Sequence, residues 1–108
     1  MITFDALGLD DRLIQATNAL GFTNPTPIQE KAIPVLLSGT KDLVGLAQTG
    51  TGKTAAFGLP LLQLINVQQK HPQALVVCPT RELCVQIVNE VEQFKKFIPG
   101  MYVVAVYG

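Results

Sequence analysis

Ala47-Gln48-Thr49-Gly50-Thr51-Gly52-Lys53-Thr54 is the stretch on which the reading of this chain turns. Glycines at 50 and 52 free the backbone from the steric limits of a Cβ, so successive N–H groups can face one point. A helix opening at Lys53 would add the partial positive charge of its N-terminus. Such a concavity suits a phosphate. Lys53 would set its ammonium against β- and γ-phosphates, and the Thr54 hydroxyl would ligate a magnesium ion bridging them. Ala47 stands where the general phosphate-loop pattern carries a glycine. The competing reading, a chance glycine-rich turn with a surface lysine, is weakened by what flanks the loop.

Before it, residues 42–47 (DLVGLA) are short and apolar enough for a buried strand, and after it Lys53 opens a helix towards residue 65. The polar residues 66–73 connect to a second apolar run at 74–78, whose lack of alternation predicts a strand buried on both faces. Pro79 and Thr80 then introduce a helix in which Leu83, Ile87, Val91, Phe94 and Ile98 keep close to a 3.6-residue period until Pro99-Gly100. Residues 101–107 give a third strand. Upstream, Leu9, Leu13, Ala16 and Leu20 predict a helix over residues 10–20 that stops at Gly21. Another helix begins with Thr26 as cap and Pro27 in its first position, with Ile28, Ala32 and Leu36 on one face and Pro34 bending or shortening it. Alternation of strands and helices implies right-handed crossovers and a mainly parallel sheet, so the expected class is α/β. Three strands are few for such a sheet, and the domain is expected to be incomplete.

At 108 residues the chain is one domain or part of one, and 48% hydrophobic with 15% charged residues describes an ordinary globular chain. Eight basic and eight acidic residues cancel, so any contact with nucleic acid must be local and not a general attraction to a polyanion. Cys78 and Cys84 lack zinc-site spacing and are expected to be reduced core thiols. The first residues carry no secretory signal, and the most apolar stretch, residues 55–67, is broken by Gly58 and Pro60 and too short to span a bilayer. The expected location is cytoplasmic, with no membrane partner.

Two further positions carry candidate chemistry. The Gln29 amide can pair with adenine, but Thr26-Pro27-Ile28-Gln29 also matches a capping box, and local chemistry alone favours the cap. Thr80 and Arg81 lie where a strand end meets a helix N-terminus, a place for phosphate, although a plain N-cap and a solvated first-turn arginine explain them equally well.

Together these segments resemble the DEAD-box RNA helicases over essentially the whole chain. Gly21-Phe22 with Pro25-Thr26-Pro27-Ile28-Gln29 resembles the family's Q motif, and Phe4 stands where its isolated upstream aromatic is expected. AQTGTGKT is similar to motif I, in which Ala47 is normal, and Pro79-Thr80-Arg81-Glu82-Leu83 is similar to motif Ia. Tyr107-Gly108 resembles the approach to the family's glycine doublet.

The resemblance implies an incomplete RecA-like P-loop domain over residues 1–108, with a Q-motif region at 1–40 and the first strands and helices of the P-loop core at 41–108. It implies ATP and Mg2+ as cofactors. Gln29 would read adenine, Phe4 would stack on it beside Phe22, and Thr49, Gly50, Thr51, Gly52, Lys53 and Thr54 would hold the phosphates. Lys53 and Thr54 would be the catalytic members, with Thr54 on the metal. Pro79, Thr80, Arg81 and Glu82 would touch RNA along its sugar-phosphate backbone, without sequence preference. The parent protein would be an ATP-dependent RNA helicase. The 108 residues contain no Asp-Glu-Ala-Asp run and no Ser-Ala-Thr motif, so hydrolysis and unwinding by this piece alone are not expected. The alternatives are another P-loop NTPase, including a DNA-directed relative, and a non-catalytic ATP- or RNA-binding module. Self-association through an exposed sheet edge is also expected.

Overall fold

The computed structural model describes residues 3–38, 53–69 and 71–106. A 3-10 turn, Phe4–Leu7, precedes four helices: α1 Asp11–Ala19, α2 Pro27–Leu37, α3 Lys53–Leu64 and α4 Arg81–Phe94. Several of these boundaries have a local cause. Asp10 caps α1 by accepting the Arg12 amide at 2.8 Å. At the other end Gly21 adopts φ +81°, its amide donates to the Asn18 carbonyl at 3.0 Å, and the Phe22 amide donates to the Thr17 carbonyl at 2.9 Å. This pair of bonds is a Schellman motif, which satisfies two end carbonyls and fixes the direction in which Phe22 leaves the helix.

The expected capping box opens α2: Gln29 N–H donates to the Thr26 hydroxyl at 3.4 Å, and Thr26 N–H donates to Gln29 Oε1 at 2.9 Å. Pro34 lies inside α2, which continues to Leu37, and the carbonyl four residues earlier, at Glu30, has no amide to accept from there. Thr80 caps α4 through its hydroxyl, which accepts the Leu83 amide at 3.1 Å. The predicted face of α4 is present, but the helix ends at Phe94, so Ile98 reaches the core from a following turn.

Helix α3 is the hub, packing against both α2 and α4, while α1 packs against α4 and the 3-10 turn. Leu59 from α3, Ile33 from α2 and Leu13 from α1 are fully buried, joined by Phe4, Val91, Phe94 and Met101. Truncating any of the three aliphatic anchors to alanine costs about 2–5 kcal/mol. Gln63, near the end of α3, straps the amino-terminal segment to this hub. Its Nε2 donates to the Gly8 carbonyl at 3.0 Å and its Oε1 accepts the Asp10 amide at 2.6 Å.

The expected sheet is not present among the described residues. The first predicted strand, residues 42–47, lies outside them, and neither 74–78 nor 101–106 forms a ladder. Leu75 and Val77 are 86% and 85% exposed, so the run read as doubly buried is uncovered. In residues 101–106 burial alternates: Met101 is in the core while Tyr102, Val104 and Val106 are exposed. The physical reason is that all ladder hydrogen bonds of a strand are made with another strand, whereas a helix makes them within itself. Apolar composition therefore supplies half of what a strand needs.

Candidate nucleotide and nucleic-acid site

Four groups of predicted residues can be followed in space, one of them only in part. The first is aromatic. Phe4 is 3% exposed, and its ring stacks on Phe22 with centroids 6.4 Å apart and planes at 26°. Phe22 also meets Phe94 edge-on, at 6.4 Å and 61°. Offset and edge-on arrangements of this kind are the favoured ones for aromatic quadrupoles. Phe22 is the more open ring, at 36% exposure. The Schellman turn places it, and α4 backs it through Phe94, whose partnership with Phe22 had no signal in the sequence beyond its position on the apolar face of α4.

Gln29 is 3% exposed and its amide oxygen is engaged by the Thr26 amide. The cap fixes the orientation of the amide plane, and the local reading of Gln29 as a capping residue is the one seen in the structure.

The phosphate group of residues is divided by the described range. Thr49, Gly50, Thr51 and Gly52 lie outside it, whereas Lys53 is the first residue of α3, exposed, and Thr54 follows, half-buried. The first-turn amides of a helix have no partner within it, and here they share the helix end with a lysine ammonium. Ala55, Ala56 and Leu59 are buried immediately behind and hold this end of α3 in the core. The arrangement fits an anion: Lys53, Thr54 and the leading amides would hold a phosphate, and Thr54 would supply the hydroxyl for its metal ion. Among the described residues no cluster of three His, Cys, Asp or Glu side chains could hold a metal by itself.

The last group, Pro79, Thr80, Arg81 and Glu82, is exposed at the head of α4. Thr80 is the N-cap, as the plainer reading held, and Arg81 opens the helix. Glu82, also in the first turn, complements the helix dipole. The acids Glu30, Glu82, Glu90 and Glu92 all fall on helices. A surface groove of about 420 Å³, lined by Asp10, Arg12, Leu13, Gln63 and Met101 among others, contains none of these candidate residues. No described helix is long and apolar enough to cross a membrane.

Residues 26–108 match the family model described as DEAD/DEAH box helicase. The chain is 51% identical over 107 residues to the ATP-dependent RNA helicase DeaD of Haemophilus influenzae, covering 99% of this chain and 17% of that protein. It is 48% identical over 108 residues to the ATP-dependent RNA helicase CshA of Listeria monocytogenes, covering all of this chain and 20% of that protein. The chain thus spans a fifth or less of the length of these two relatives. Among solved structures, the RNA helicase Prp28 from Chaetomium thermophilum bound to ADP matches with a TM-score of 0.87 and 42% identity, over 100% of this chain and 27% of that one. Dbp5 of S. cerevisiae bound to RNA and ADP BeF3 matches with a TM-score of 0.84 and 41% identity, over 88% of this chain and 25% of that one. By sequence and by fold alike, the chain belongs to the DEAD/DEAH box helicase family.

Proposed function

We propose that this chain is the ATP-binding and part of the RNA-binding portion of an ATP-dependent RNA helicase. The observation that carries the reading is the position of Lys53, which is exposed at the first residue of a twelve-residue helix directly after Gly50-Thr51-Gly52. An anion at that helix end meets unpaired amides, the helix dipole and a fixed cation together. In this reading Gln29 pairs with the adenine edge and the Phe4–Phe22 pair supplies the aromatic surface, with Phe22 the accessible ring. Thr49, Gly50, Thr51 and Gly52 complete the phosphate cradle. A magnesium ion would neutralise the phosphates when bound, and Thr54 would be its protein ligand. Pro79, Thr80, Arg81 and Glu82 meet the RNA backbone. The names of DeaD and CshA, and the RNA- and nucleotide-bound state of Dbp5, support the assignment of both ligands.

Binding and turnover separate in this reading. Phosphoryl transfer needs a carboxylate for the metal and a group that positions water. Glu30, Glu82, Glu90 and Glu92 sit on helices and none follows an apolar strand at its carboxyl end. The chain by itself therefore binds ATP without hydrolysing it, and the parent protein hydrolyses ATP and remodels RNA in the cytoplasm. The apolar runs 74–78 and 101–106 become strands of a parallel RecA-like sheet when partner strands are present.

Calorimetric titration of the chain with MgATP and MgGTP tests the reading. ATP should bind, GTP should bind more weakly, and Lys53→Ala should remove both. Equal affinity for the two nucleotides would contradict the role of Gln29, and no binding to a folded chain would overturn the assignment. In the full-length parent, Lys53→Ala should abolish RNA-stimulated phosphate release.

A further inference from the structure

Gln63 is half-buried near the end of α3, and both halves of its amide engage one short piece of backbone. Its Nε2 donates to the Gly8 carbonyl at 3.0 Å, while its Oε1 accepts the Asp10 amide at 2.6 Å. A backbone carbonyl can only accept and a backbone N–H can only donate, so one orientation of the side chain serves both partners. Between them the chain turns: Gly8 takes φ +91° and Leu9 is buried. That joint is common to the two base-side aromatics. Upstream of it lies the 3-10 turn carrying Phe4; downstream lies α1, which Asp10 caps and whose far end delivers Phe22 to the Phe4 ring. The turn packs on α2 and α1 packs on α4. Gln63 links their joint directly to α3, the helix that Lys53 opens about 15 Å away at 1.5 Å per residue.

We propose that Gln63 is a positioning residue for ATP, which sets the Phe4–Phe22 surface at one nucleotide's reach from the phosphate end of α3 without touching the ligand itself. The proposal rests on the nucleotide reading of Lys53, Phe4 and Phe22 and adds to it a residue outside the site. Two weak subsites engaged by one ligand reinforce each other only when the protein already holds them at the ligand's own span; otherwise part of the interaction energy goes into bringing them there. The paired hydrogen bonds of Gln63 establish that span before the nucleotide arrives. Few side chains could replace it. Glutamate would still accept from Asp10 but would set a second oxygen against the Gly8 carbonyl, and methionine would fill a similar volume with neither bond.

Calorimetric titration of the whole 108-residue chain, Gln63→Met and Gln63→Glu tests this, with MgATP as one ligand and magnesium tripolyphosphate, which occupies the phosphate end alone, as the other. The parent chain should prefer MgATP. In Gln63→Met the affinity for MgATP should fall roughly 2- to 30-fold, the range seen when substitutions alter coupling between sites, while that for tripolyphosphate stays at the parent value. Gln63→Glu should move in the same direction and carries the test if Gln63→Met does not fold. A role in stability alone would lower the competent fraction for both ligands together, so the ratio of the two affinities separates positioning from mere support. A folded variant with the parent's ratio would overturn the proposal and leave the nucleotide reading in place. A parent chain that binds neither ligand would overturn both.

Discussion

Replacing Gly58 by alanine should make the protein more stable, although the site is buried at the contact between α3 and α4. A Cβ built there would lie 3.6 and 3.7 Å from two ring carbons of Phe94 and 3.8 Å from a methyl of Val91. These are ordinary van der Waals separations, so nothing must move. Glycine in a helix interior costs about 1 kcal/mol relative to alanine through the freedom it retains when unfolded. A buried methyl adds up to about 0.8 kcal/mol by transfer from water. The expected gain is therefore about 1–2 kcal/mol, or a rise in Tm of at least about 4 °C for a domain of this size. Gly58→Leu supplies the opposite sign, because its branch would have to enter the space of Phe94 and Val91; overpacking of this kind costs about 1–3 kcal/mol. Urea and thermal unfolding followed by circular dichroism give both values. A destabilised Gly58→Ala, or a Gly58→Leu as stable as the parent, would refute the description of the α3–α4 contact.

Gly21→Ala should cost about 1–2 kcal/mol despite open space around the site, because φ +81° is strained for any L side chain; chemical denaturation measures it, and an unchanged midpoint would contradict the Schellman cap. Thr26→Ala should lose about 0.5–2 kcal/mol of stability through the cap while keeping nucleotide discrimination, whereas Gln29→Ala should lose both. Equal nucleotide binding by the two variants would show that Gln29 serves the helix alone. Asp10 is held below the ordinary carboxylate pKa chiefly by its side-chain and backbone hydrogen bonds to Arg12, against an opposing effect of burial, with a lesser contribution from the Arg12 charge. Its contribution is then present above the unfolded value of about 4 and fades as pH falls through the lower folded value. Asp10→Asn keeps a capping oxygen and should flatten that part of the acid unfolding profile. We also expect self-association through Leu75, Val77, Tyr102, Val104 and Val106, all exposed; a sharply monomeric boundary in concentrated sedimentation runs would count against it.

What could be read in the residues divides along a physical line. The helix starts at Thr26 and Thr80 were legible because a cap is decided by a few neighbouring side chains, whereas the capping role of Asp10 emerged only in the structure. Of the residues that suggest a phosphate chemistry at fixed spacing, Lys53 and Thr54 open α3 as expected, and Gly50 and Gly52 lie outside the described residues. The runs 74–78 and 101–106 were not, because whether an apolar run becomes a strand depends on neighbours far along a chain. Exposure of Leu75 and Val77 could not be derived from their composition. The contact of Phe22 with Phe94 and the two hydrogen bonds that join Gln63 to Gly8 and Asp10 link residues more than fifty positions apart and left no local mark.

Gln63 gives the molecule a tether of fixed length. Phe4, proposed to serve the base, sits on a short amino-terminal piece, and Lys53, proposed to serve the phosphates, begins the helix on which Gln63 is carried nearly three turns later. Two hydrogen bonds from one amide keep the spacing between those ends from drifting, much as a crossbar keeps two rails in gauge. Loosening the bar would leave each end chemically intact while blurring the distance between them.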